Sequence, residues 1–165
     1  MITIKPAKLR DIPVINQLAY RIWPATYKNV LSTDQMEYML SLIYGTSSLR
    51  KQIKELNHKF IVIYKNKIPL GFASYSLRAN SKNIYKLHKI YILKTEQGKG
   101  IGNFVLNKIT DEIKLTGAKY LELNVNRSNK AVDFYKKNGF KIIGEEDIDI
   151  DNGYFMNDYV MRKII

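Results

Sequence analysis

The sequence predicts a mixed α/β fold, a mostly antiparallel sheet of six to seven strands flanked by helices, on three observations. Short β-branched and aromatic runs bounded by turn residues alternate with stretches whose apolar residues recur at helical spacing. Asn66–Lys67 and Asp151–Asn152–Gly153 each lie between two strand-like runs, as hairpin turns do. A glycine-rich stretch, EQGKGIGNF (Glu96–Phe104), joins an apolar strand to a helical pattern. With 165 residues and no linker, repeat or low-complexity segment, the chain reads as one domain, 1–165.

In chain order, Ile2–Lys5 reads as a short strand. Asp11 caps a helix that Pro13 opens and Pro24 interrupts after Ile22. Ser32 with Gln35 forms a capping-box pattern ahead of MEYMLSLIY, which Gly45 stops, and SSLRKQIKEL gives a third helix. FIVIY, Ile68–Leu77 and Ile84–Leu93 follow as strands. After the glycine stretch, Ile101, Val105, Leu106, Ile109 and Ile113 mark a helix that ends at Gly117. A strand YLELNV, a helix near Asn129–Asn138 and a last hairpin complete the chain.

Composition narrows the function. The absence of cysteine excludes disulfides, thiolate catalysis and cysteine zinc sites, and His58 and His88 are too far apart to suggest a metal pair, so no metal is expected. No apolar run nears the roughly 20 residues of a membrane span and the N-terminus lacks a signal-peptide core, so a cytoplasmic protein without membrane contact is expected. The net charge of +12 suits a phosphate-bearing partner. Its lysines are dispersed, however, and no nucleic-acid docking element accompanies them, so no nucleic-acid partner is expected. Acidic residues instead cluster in GEEDIDID (Gly144–Asp151), which suits either a cationic substrate or an edge strand protected by charge.

A glycine-rich strand-to-helix turn holds phosphate when missing Cβ atoms let backbone N–H groups close on it at the positive helix end. The stretch is not a P-loop, which needs GxxxxGK. Nor is it a dinucleotide fingerprint, because Asn103 stands where the third glycine belongs. What remains is Gln97xxGly100xGly102. About 30 residues later, Asn129, Ala131, Phe134, Tyr135, Gly139 and Phe140 spell NxAxxFYxxxGF after a strand.

These two motifs, in this order and spacing, resemble the GCN5-related N-acetyltransferase (GNAT) superfamily, and the likeness runs from about Phe60 to the end. The resemblance implies a sheet splayed at an acetyl-CoA site. There Ile90, Tyr91 and Ile92 would bind the pantetheine arm through their backbone, with the Ile92 amide donating to the developing oxyanion. Gln97, Gly98, Lys99, Gly100, Ile101 and Gly102 would hold the pyrophosphate, and Asn129 and Lys137 would make further cofactor contacts. Tyr135 would protonate the departing thiolate. Certain protein N-terminal acetyltransferases of the family carry a glutamate base in a LEV pattern where this chain has Leu123–Asn124–Val125, which weighs against a base at Asn124 and against that acceptor class; Glu122, on the same strand face, is a candidate base acting through water, although a surface or structural carboxylate suits it better.

IWPATYKNVLS, MEYMLSLIY and GYFMNDYVM resemble the PaiA-type polyamine-acetylating branch. By that likeness Trp23 and Tyr27 would wall an acceptor pocket and Asp147 would attract a small-molecule amine such as spermidine or spermine, although plain core packing also fits the two aromatics. The implied activity is acetyl transfer to a primary amine by direct attack through a tetrahedral intermediate. The alternatives are a protein or peptide acceptor and a non-catalytic acetyl-CoA sensor. Monomer and homodimer both fit, the dimer by pairing of an exposed YVMRKII strand.

Overall fold

A computed structural model describes residues 1–165. Seven strands hydrogen-bond in the order β1-β2-β3-β4-β5-β7-β6. They are β1 (Ile2–Pro6), β2 (Lys59–Lys65), β3 (Ile68–Leu77), β4 (Ile84–Ile92), β5 (Tyr120–Asn126), β6 (Lys141–Asp149) and β7 (Phe155–Ile164). The helices are α1 (Ile12–Tyr27), α2 (Thr33–Tyr44), α3 (Thr46–Lys54), α4 (Ile101–Lys114) and α5 (Ala131–Lys137). Most of the sheet is antiparallel, as expected, while β4 and β5 run parallel. Their ladder ends at Leu87↔Leu123, although β4 continues to Ile92 and β5 to Asn126.

By contact the chain divides into two compact units. The first comprises Met1–Ser76 and Lys89–Val105, the second Leu77–His88 and Leu106–Ile165.

In the first unit, α1 runs through Pro24 to Tyr27, which corrects the expected break after Ile22. A proline inside a helix costs about 3 kcal/mol. The apolar face of α1 continues past it, however, and buries Ile12, Ile15, Ala19, Ile22, Trp23 and Tyr27. Each large side chain so covered contributes roughly 1.5–3 kcal/mol, so burial outweighs the lost hydrogen bond. Asp11 differs too: its carboxylate accepts from the Lys8 amide at 2.7 Å and makes no side-chain cap on α1. Ser32 does cap α2, its Oγ accepting from the Gln35 amide at 3.1 Å. Asn66 and Lys67 both take positive φ, 50° and 71°, the backbone of the tightest hairpin turn, between β2 and β3.

In the second unit, β7 pairs with β5 on one side and β6 on the other. YVMRKII is therefore an inner strand, and its expected pairing across a dimer is withdrawn. Its partner β6 forms the sheet edge, and the acidic run on it leaves Glu145, Glu146 and Asp147 exposed, as charge on an edge strand should be. Leu121, Leu123 and Val125 project to one face of β5 and are buried, while Glu122, Asn124 and Asn126 alternate to the other.

Candidate functional site

In the first unit the end of β4 lies against β3 at a glycine. A Cβ built on Gly71 would stand 2.5 Å from the Tyr91 carbonyl oxygen and 3.2 Å from the Ile92 Cα, so only glycine admits the backbone this close. Next to it, the Leu93 amide donates to the Leu70 carbonyl at 2.9 Å. Gln97 then turns back, and its Nε2 donates to the Ile92 carbonyl at 2.9 Å. The peptide joining Ile92 to Leu93 is thus fixed through both its carbonyl and its amide.

The turn that follows opens into the glycine loop. Gly98 and Gly100 have φ of 74° and 79°, and an added Cβ at either would meet nothing within 4 Å. These glycines serve backbone conformation beside open space rather than close packing. The Gly100 carbonyl accepts the first bond of α4, from Phe104 at 3.0 Å, and Ile101 is buried at the start of that helix. The loop therefore leads straight into a helix N-terminus, where the first amides have no acceptor within the helix, a ready site for an anion. Lys99 is exposed and paired with Glu96 at 3.2 Å, and Lys65, at the end of β2, reaches the same Glu96 oxygen at 3.0 Å. These two hydrogen-bonded ammonium groups hold the Glu96 carboxyl below its ordinary value.

Trp23 and Tyr27 enter a buried aromatic cluster in this unit. Trp23 stacks obliquely on Tyr27 at 4.6 Å between ring centroids, meets Tyr44 edge-on at 5.5 Å, and lies 5.9 Å from Tyr91. The Tyr27 and Tyr91 hydroxyls are hydrogen-bonded at 2.8 Å, which ties α1 to the strand end. Burial pushes the Tyr44 phenol well above its ordinary value, and the nearby Tyr27 pushes it the same way. Beside it the buried Lys89 donates to Gln52 Oε1 at 2.7 Å, with its ammonium over the rings of Phe60 and Tyr44.

In the second unit Asn129 Oδ1 accepts from the Ala131 amide at 2.9 Å and so holds the first turn of α5. On that helix Tyr135 is 8% exposed and packs edge-on between Phe134 and Phe140, at 5.2 and 5.6 Å. Lys137 is exposed near the same helix end. Glu122 is buried at the wall of an open cleft of about 360 Å³ that Lys86, Asn124 and Glu146 also line. One Glu122 oxygen takes Arg78 Nη1 at 3.1 Å and the other takes Arg162 Nε at 2.7 Å, with Arg162 Nη2 on it as well. Both oxygens are thus occupied by guanidinium donors. Asp147, exposed on β6, pairs with Arg127, which also binds Glu145.

Several residues of consequence escaped the sequence. Gly71 named no partner, because an isolated glycine inside a strand run marks a close approach without showing what approaches. Arg78 and Arg162 lie 84 positions apart and meet on Glu122, which the β5–β7 register sets opposite Arg162 and which Arg78 reaches from the end of β3. Asp158 is a second buried carboxylate of this unit, 5% exposed. Burial raises its carboxyl above the ordinary value, against a hydrogen bond from Asn124 and the charges of Lys86 and Arg127, while Glu146 adds to the rise.

With this geometry in view, comparisons with known proteins agree on one family. The acetyltransferase (GNAT) domain family matches residues 27–162. The N-acetyltransferase YuaI of Bacillus subtilis is 26% identical over 152 residues, covering 91% of this chain and 86% of that protein. The ribosomal protein bS18-alanine N-acetyltransferase of Haemophilus influenzae is 28% identical over 129 residues, 78% of this chain and 81% of its own length. Among solved structures, PaiA N-acetyltransferase from Thermoplasma acidophilum, in complex with coenzyme A, superposes with a TM-score of 0.82 at 25% identity, covering 100% of this chain and 99% of that one. No helix here is long and apolar enough to cross a membrane. The strand end gripped at Gly71, the glycine loop opening α4 and the family match across residues 27–162 lead to one conclusion: the chain belongs to the GNAT acetyltransferase family.

Proposed function

We propose that residues 1–165 form a single catalytic domain that transfers the acetyl group of acetyl-CoA to a primary amine, with a polyamine as acceptor. The observation that carries the reading is the fixed Ile92–Leu93 peptide leading directly into an open glycine loop at a helix N-terminus. A coenzyme A complex of the similar PaiA supports the choice of co-substrate and the PaiA-like branch. The family match crosses both contact units, which supports one domain.

In this reading Ile90, Tyr91 and Ile92 bind the pantetheine arm, and the Ile92 amide stabilises the negative charge that grows on the thioester oxygen. The glycine loop and Lys99 take the pyrophosphate, with Asn129 and Lys137 as further cofactor contacts. The acceptor enters as an ammonium ion, loses a proton to a base, and its nitrogen attacks the thioester carbon. As the C–N bond forms and the C–S bond breaks, the nitrogen gives up a second proton and the thiolate takes one from Tyr135. The products are the N-acetylamine, coenzyme A as its thiol, and one released proton.

Two carboxylates are candidates for the base. Glu122 lines the cleft with both oxygens already held by Arg78 and Arg162, an arrangement that suits orientation and charge balance. Asp158 is buried, and that burial raises its carboxyl above the ordinary value, the direction that favours general-base work. The pH–rate profiles of Glu122→Gln and Asp158→Asn separate them, since only loss of the base removes the acidic limb.

A protein acceptor is the second reading, favoured by the likeness to the ribosomal protein alanine acetyltransferase. Competition between spermidine and a peptide with an N-terminal alanine decides. Preferential acetylation of spermidine supports the polyamine reading, and preferential acetylation of the peptide overturns it.

A further inference from the structure

Glu96 binds two lysines through one oxygen. Lys65 comes from the end of β2, and Lys99 from the glycine loop itself. The hairpin turn at Asn66–Lys67 fixes where β2 ends and so holds Lys65 beside the loop. One carboxylate cannot neutralise two ammonium ions, so the group keeps an excess positive charge at the edge of the space that Gly98 and Gly100 leave open. Both lysine side chains are about half exposed, 43% and 51%, so an incoming anion reaches them without unfolding anything.

We propose that Lys65 is a phosphate ligand for acetyl-CoA, held ready by Glu96, whose place on both ammonium groups the incoming phosphate takes over. This rests on the acetyl-CoA reading above and adds to it a residue from a different strand and more than 30 positions earlier in the chain. Coenzyme A offers two sources of the same chemistry, its pyrophosphate and its 3′-phosphate. Either matches a pair of ammonium groups better than a single carboxylate does, because the pyrophosphate as a whole and the 3′-phosphate each carry more negative charge over more acceptor oxygens.

Calorimetric titration of the full chain with acetyl-CoA, and with the analogue lacking the 3′-phosphate, tests this without relying on turnover. Lys65→Gln should weaken acetyl-CoA binding about fivefold at low salt, with the loss shrinking as salt rises. Lys65→Arg should retain wild-type affinity within about twofold, because it keeps the charge. Lys67→Gln, which removes the same charge from an exposed neighbour without the Glu96 contact, should change binding less than about twofold. If the Lys65→Gln loss persists with the analogue, the pyrophosphate is the ligand; if it disappears, the 3′-phosphate is. Wild-type affinity in a folded Lys65→Gln protein, or an equal loss in Lys67→Gln, overturns the proposal. A wild-type chain that binds neither compound overturns the acetyl-CoA reading itself.

Discussion

The side-chain amide of Gln97 donates a 2.9 Å hydrogen bond to the carbonyl of Ile92, five residues earlier in the chain. The first residue of the glycine motif is thereby tied back to the strand end proposed to meet the oxyanion. One such bond contributes roughly 1 kcal/mol net. Gln97→Ala should therefore weaken acetyl-CoA binding about fivefold and lower turnover by a similar factor, measured by calorimetry and steady-state kinetics. Lost affinity without lost turnover would confine Gln97 to the phosphate side.

Gly71→Ala places a methyl group 2.5 Å from the Tyr91 carbonyl oxygen, and the strand backbone must move to admit it. Overpacking of this kind costs about 1–3 kcal/mol. We expect a lower melting temperature and a larger fall in kcat than in acetyl-CoA affinity, because the displaced backbone is the one proposed to meet the thioester. Gly98→Ala acts differently. It strains a backbone at φ 74° in open space, and it should weaken acetyl-CoA binding with less effect on kcat once the cofactor is bound.

Tyr135→Phe keeps the aromatic packing against Phe134 and Phe140 and removes only the hydroxyl. Turnover should fall by about 100-fold, the range of a lost general acid, while acetyl-CoA affinity changes little. Unchanged turnover would limit Tyr135 to packing.

Removing Arg162 leaves the buried Glu122 carboxylate with Arg78 as its remaining guanidinium partner. Breaking a buried pair costs about 3–5 kcal/mol. Arg162 is itself one-third exposed, so Arg162→Ala should lose somewhat less, about 2 kcal/mol by chemical denaturation. Glu122→Gln, which keeps acceptor capacity, should be milder in stability than Arg162→Ala.

Glu96 and Asp158 should respond to pH with opposite signs. The folded protein holds the Glu96 carboxyl below its ordinary value, so its ion pairs contribute stability above the unfolded pKa, and this is lost as pH falls through the folded one. Asp158 is raised in the folded protein, so ionising it costs stability as pH climbs from the unfolded to the folded pKa. Thermal melts from pH 3 to pH 8 should show Glu96→Gln less stable than wild type at the upper end, with the gap narrowing as pH falls. Asp158→Asn should gain on wild type as pH rises.

The periodic parts of this fold were legible because local chemistry decides them. Ser32 caps α2 and Gly45 follows its last residue, and the turn at Asn66–Lys67 marked the β2–β3 hairpin. Local signals misled where tertiary burial outweighed them. Pro24 sits inside α1 because Trp23 and Tyr27 are buried on either side of it. The glycine loop and the FYxxxGF helix were legible because each is contiguous in sequence. Gly71, the Arg78–Glu122–Arg162 network and Asp158 were not, since their partners arrive through strand register that no single stretch encodes.

The most direct test of the central claim is amine-dependent release of coenzyme A thiol from acetyl-CoA, with mass spectrometry of the acceptor. The protein contains no cysteine, so a thiol reagent reports only the cofactor. The expected result is thiol release matched one for one by an acceptor heavier by one acetyl group, and much slower release with Tyr135→Phe. Tight acetyl-CoA binding with neither thiol release nor an acetylated product, across polyamines and peptides with free amino termini, would contradict it.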